Sequence, residues 1–107
     1  MAKYIYVGKY SNDGAAGLIG GTDNRATAIK SVCENSGAKF ISFEITRGQY
    51  DFCFNFEAKS FDIVGAILLK VRATGSVDDG FVLETVNVNS MRKAAKKVHY
   101  KGPAAKS

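Results

Sequence analysis

Apolar residues along this chain change their spacing in one fixed order, and that order restricts the fold more than any single motif. Residues 3–10 (KYIYVGKY) alternate β-forming side chains with a period of two and run into Ser11-Asn12-Asp13-Gly14, a strand entering a turn. Residues 14–22 are glycine-rich and read as a connector. Residues 23–36 switch to helical spacing, with Ala26, Ile29, Cys33 and Ser36 on one stripe and Ala28 and Val32 beside it. Thr22 or Asp23 is placed to cap that helix, and Gly37 to accept the left-handed conformation past its end. Residues 39–47 (KFISFEITR) and 50–57 (YDFCFNFE) return to period two, and Gly48-Gln49 joins them as a hairpin. Ser60 opens a second helix over residues 61–73, striped by Phe61, Val64, Leu68 and Val71 and stopped by Gly75. Residues 81–88 form a fourth strand, and Ser90 caps a short last helix over residues 91–98.

The order β-α-β-β-α-β is that of two right-handed crossovers fused through a hairpin. It predicts an α+β, ferredoxin-like domain over residues 1–90, with a four-stranded antiparallel sheet and both helices on one face. Strands one and three are central, and two and four lie at the edges. Residues 91–107 follow as a short helix and a basic tail.

The charge is unevenly placed. The 107 residues carry a net +5, but residues 91–107 hold six cations and no acid, which leaves the body at −1. A near-neutral body lacks the electrostatic footprint of a nucleic-acid-binding domain, so only weak, salt-sensitive contact through the tail is expected. The most apolar run, residues 63–69, is far shorter than the ~20 residues of a bilayer span, and the N-terminus lacks a secretory pattern. Cys33 and Cys53 stand without partners at metal spacing and read as reduced thiols in a cytoplasm. The single histidine, His99, lies in the tail, so neither a metal nor another cofactor is expected.

Helices on one side of a sheet must pack on one alternating set of strand residues. The most apolar set is Ile5 and Val7, Ile41, Phe43 and Ile45, and Phe52, Phe54 and Phe56. That choice sends Tyr4, Tyr6, Phe40, Ser42, Glu44, Asp51, Cys53, Asn55 and Leu83 to the open face. Such a face is too aromatic for ordinary solvent contact and too polar for a dry core. It predicts a homodimer packed sheet to sheet around a partly polar cavity.

The sequence resembles the GYD-domain family. The residues that carry the likeness are Lys3-Tyr4-Ile5-Tyr6-Val7-Gly8-Lys9-Tyr10, Gly14, Arg25-Ala26, Gly37, Lys39 and Gly48-Gln49-Tyr50-Asp51. The resemblance implies a small bacterial or archaeal protein of the dimeric α/β-barrel superfamily, and no particular activity. The basic tail and the glycine-rich stretch depart from the family pattern.

On this reading a small organic ligand would sit among Tyr4, Tyr6, Ser42, Glu44, Tyr50, Asp51, Cys53 and Asn55. Asp51 beside phenols could serve as a weak base in a cofactor-independent monooxygenase or isomerase. Its structural alternative is to accept hydrogen bonds from the hairpin turn. Glu44 has an edge-strand role as its alternative, Cys53 a packing role, and the tyrosines an interface role. The glycine-rich stretch fits neither dinucleotide nor Walker spacing. The RNA-recognition motif shares the element order, but its third-strand stacking positions are occupied here by Gln49 and Asp51.

Overall fold

The computed structural model describes residues 1–22 and 24–103. Four strands, β1 (Ala2–Tyr10), β2 (Lys39–Ile45), β3 (Phe52–Ala58) and β4 (Val77–Glu84), form one sheet in the order β2-β3-β1-β4. All three neighbouring pairs are antiparallel, so β1 and β3 are central and β2 and β4 are edges, as the element order predicts. Helices α1 (Asn12–Gly20), α2 (Arg25–Asn35), α3 (Phe61–Ala73) and α4 (Val88–Ala95) complete the chain. The architecture is α+β and ferredoxin-like.

The core lies between the sheet and helices α2 and α3. It is built from Tyr4, Tyr6, Phe52, Phe54, Phe56 and Ala58 of the strands and Cys33, Val64 and Ile67 of the helices. Phe54 and Phe56 stack with ring centroids 4.4 Å apart, and Tyr6 meets Phe52 edge-on at 5.4 Å. Aromatic pairs of this geometry add stabilisation beyond their buried area. Positive-φ glycines, Gly37 at 83° and Gly75 at 77°, follow the ends of α2 and α3, where a side chain would be strained.

Three boundaries differ from expectation. The glycine-rich connector is in fact helical over α1. Ser11 holds its start: its hydroxyl accepts from the Gly14 amide at 3.0 Å and donates to the Gly75 carbonyl at 2.6 Å. Gly14 then packs so closely on the Ser76 backbone that a Cβ would collide with the Ser76 carbonyl. Three glycines lower helix propensity, and a tethered cap overrides that preference. Second, β4 begins at Val77, four residues early, because Val77, Asp79 and Gly80 pair with β1 across a register shift that passes over Asp78, despite the turn-like composition of Asp78-Asp79-Gly80. Third, α4 begins at Val88, where the Asn87 side chain accepts from the Ser90 amide at 3.0 Å. α2 is capped by Asn24, whose Oδ1 accepts from Ala26 and Thr27; Asp23 and Lys106 lie outside the described residues.

The face assignment of β1 is also corrected. Tyr4 pairs with Phe56 and Tyr6 with Phe54, so the tyrosines belong to the helix-covered face. Both are buried, at 4% and 3% exposure. Ile5 and Val7 pair with Asn55 and Cys53 on the open face instead. In β2 the register shifts between Phe40 and Ser42, which returns Phe40 to the covered side along with Phe43 and leaves Ile41 at the irregularity.

Candidate functional site

The open face of the sheet has two halves. On β1 and β4, Ile5 lies opposite Leu83 and Val7 opposite Phe81. Phe81 and Leu83 are 47% and 52% exposed, so these paired residues form an apolar strip without cover. On β2 and β3 the same face carries Ser42, Glu44, Cys53 and Asn55. Asn55 ties this polar half together: its Nδ2 donates to Ser42 Oγ at 3.0 Å and lies 3.6 Å from Cys53 Sγ. Glu44 is cross-strand to Cys53 and exposed. Tyr50 reaches the apolar half, where its ring meets Phe81 edge-on at 5.1 Å. The arrangement offers a hydrogen-bonding strip beside a hydrophobic one, with a half-buried thiol at their junction.

Asp51 sits at the rim rather than in the middle of this face. Its carboxylate accepts from the Tyr10 amide at 2.9 Å, its own amide donates to the Gly8 carbonyl at 2.8 Å, and its carbonyl accepts from the Thr46 amide at 2.8 Å. Thr46 Oγ1 also donates to the Tyr50 carbonyl at 2.6 Å. Asp51 thus joins the end of β1 to the entry of β3, while Thr46 closes the hairpin. The bond partner is a different strand, not the turn itself.

The structure does not assemble Asp51 with Tyr4 or Tyr6. Tyr4 is on the opposite side of the sheet, and its hydroxyl donates to Glu84 Oε2 at 3.3 Å. Burial pushes its phenol pKa up, and the Glu84 charge adds to that shift. Burial also raises the pKa of Tyr6, against the opposing influence of Arg72. The expected grouping of Asp51 with Tyr4 or Tyr6 is therefore not formed, while Tyr50 stays next to Asp51 at the border of the open face. Four of the sequence candidates, Ser42, Glu44, Cys53 and Asn55, do share one face, and Tyr50 borders it. Ile5, Val7 and Phe81 complete that face and were missed. Phe81 was legible by simple alternation, two residues before Leu83 in the same strand.

Among the described residues no three His, Cys, Asp or Glu side chains group to hold a metal, and no helix is long and apolar enough to cross a membrane. Residues 4–95 match the GYD domain, which is most of the chain. The chain belongs to the GYD-domain family. Within solved structures, this GYD-domain chain is similar to FFRP-DM1, at 10% identity and a TM-score of 0.57, covering 80% of this chain and 100% of that one. It is also similar to MtbAldR, at 8% identity and a TM-score of 0.55, covering 97% of this chain and 57% of that one. A hypothetical protein, PHS023 from Pyrococcus horikoshii, aligns at 12% identity with a TM-score of 0.49, over 81% of this chain and 92% of that one. The first two likenesses support the fold. No curated protein matches.

Proposed function

We propose that this GYD-domain chain is a self-associating, small-ligand-binding protein that works as a homodimer packed through its open sheet face. One observation carries the reading: Ile5, Val7, Phe81 and Leu83 form a continuous apolar strip that the chain's own helices leave bare. Burying apolar area stabilises association by ~25 cal/mol per Å², and a sheet face with alternating exposed side chains suits packing on a second sheet. The margins carry both signs, Lys3, Lys9 and Lys39 with Glu44, Glu57 and Asp79, which suits contact with a like surface. Packing two such faces would enclose the Ser42–Glu44–Cys53–Asn55 strip, where a small organic molecule with hydrogen-bonding groups would be held. Cytoplasmic residence follows the reading of both cysteines as free thiols.

Cys53 reports on this interface directly. Its alkylation should slow as protein concentration rises through the association range, and Phe81→Asp should restore the fast rate at all concentrations. A wild-type rate independent of concentration would show the face to be bare in solution.

A further inference from the structure

The last helix stands apart from the core. Thr85 roots it: its amide and its hydroxyl both donate to the Lys3 carbonyl, at 2.9 and 3.0 Å. Beyond that point α4 has no buried residue, and among the described residues its hydrogen bonds stay within residues 87–98. A radius of gyration of 17.9 Å, against ~13 Å for a compact chain of this length, fits an element standing off the body. A helix of eight residues is marginal in water by itself, so a surface that receives α4 also stabilises it.

The two sides of α4 differ in chemistry. Val88, Met91 and Ala95 fall at i, i+3 and i+7, which is one stripe, with Ala94 beside it. Val88 and Met91 are each 54% exposed. Arg92 and Lys93, with Lys96 and Lys97 of the closing turn, take the rest of the circumference. Val98 and Tyr100 follow, also exposed. Residues 91–107 contain no acid while the body before them is slightly acidic, so positive charge is concentrated on this one element. A nucleic acid would take the cations and leave the stripe in water. An apolar groove would take the stripe and leave the cations idle. A bilayer with anionic headgroups takes both at once, the stripe toward the acyl chains and the cations at headgroup level.

We propose that α4 is a reversible anchor that lies on the surface of anionic lipid bilayers. Val88, Met91 and Ala95 turn toward the acyl chains, and Arg92, Lys93, Lys96 and Lys97 sit among the headgroups. The stripe is short and holds no Leu, Phe or Trp, so binding depends on anionic lipid and does not persist on a neutral surface. The anchor does not depend on the open-face dimer.

Cosedimentation of the full chain with vesicles tests this. Phosphatidylcholine vesicles with one part in three phosphatidylserine should bind it at millimolar lipid, and pure phosphatidylcholine should not. Raising the salt to about 1 M should release it. Lys96→Glu/Lys97→Glu should weaken binding about tenfold or more, because two attractive charges become repulsive. Met91→Gln should weaken it about fivefold, and Phe81→Asp, on the open face, should leave it unchanged. Met91, Lys96 and Lys97 are exposed, so their variants should keep the melting temperature. The chain has no tryptophan, so an introduced indole reports its own position. Met91→Trp emission should shift to the blue on the anionic vesicles, and Lys93→Trp emission should not. Equal binding to both vesicle types, no binding to the anionic ones, or loss of binding in Phe81→Asp would overturn the proposal. So would binding that Lys96→Glu/Lys97→Glu abolishes and Met91→Gln leaves intact, the behaviour of a plain polyanion contact such as a nucleic acid makes.

Discussion

The two faces of the sheet are built from the same strands yet meet different fates. In β1, Tyr4 and Tyr6 point into the core and are almost fully buried, while Ile5 and Val7, one residue away on the same strand, are only partly covered. Both sets are apolar enough to require cover. Helices α2 and α3 cover the first through Cys33, Val64 and Ile67. Nothing in the described chain covers the second. A strand that is apolar on both faces thus leaves one set covered by the chain's own helices and the other open to the second copy proposed above. The cysteines mark the difference: Cys33 is sealed beneath α2, and Cys53 is half-buried on the open face.

Mutations should separate the faces sharply. Phe54→Ala, in the covered face, should cost about 3–5 kcal/mol, because it removes a fully enclosed ring and leaves a cavity. Leu83→Ala, in the open face, should change the stability of the isolated monomer by no more than about 0.5 kcal/mol. Denaturant unfolding in dilute solution measures both, and similar costs would erase the distinction.

Alkaline pH should act through the covered face. Burial pushes the Cys33 thiol from 9.0 up to about 11. The unfolded chain releases that proton near 9, while the folded chain keeps it until about 11. Stability should therefore be intact below pH 9 and fall as pH rises toward 11. Cys33→Ala should flatten that decline, and Cys53→Ala should leave it in place. A smaller effect belongs to the rim. Asp51→Asn keeps an acceptor for the Tyr10 amide but loses the charge that strengthens it, so thermal unfolding should report a loss of about 1 kcal/mol.

Much of the fold was legible because the two periodicities are clear. The Phe52-Phe54-Phe56 alternation and the helical stripe of residues 61–73 each describe the element that forms. Side assignment in β1 was not legible, since tyrosines alternate with Ile5 and Val7 and either set could face the helices. Only the register with β3, set by contacts distant in sequence, decides it. In β2 the irregularity at Ile41 breaks parity, so Phe40 and Phe43 face the same way in defiance of simple alternation. The polar half of the open face survived these errors because β3 is unambiguous: with Phe52, Phe54 and Phe56 inside, Cys53 and Asn55 must be outside.

If the open face is a surface for a second copy, sedimentation equilibrium at micromolar concentration will register it as a doubled mass. The wild-type chain should show twice the monomer mass and Leu83→Asp the monomer mass, with equal helical content by circular dichroism. A wild-type chain that sediments as a monomer, or a Leu83→Asp variant that remains a dimer, would contradict it.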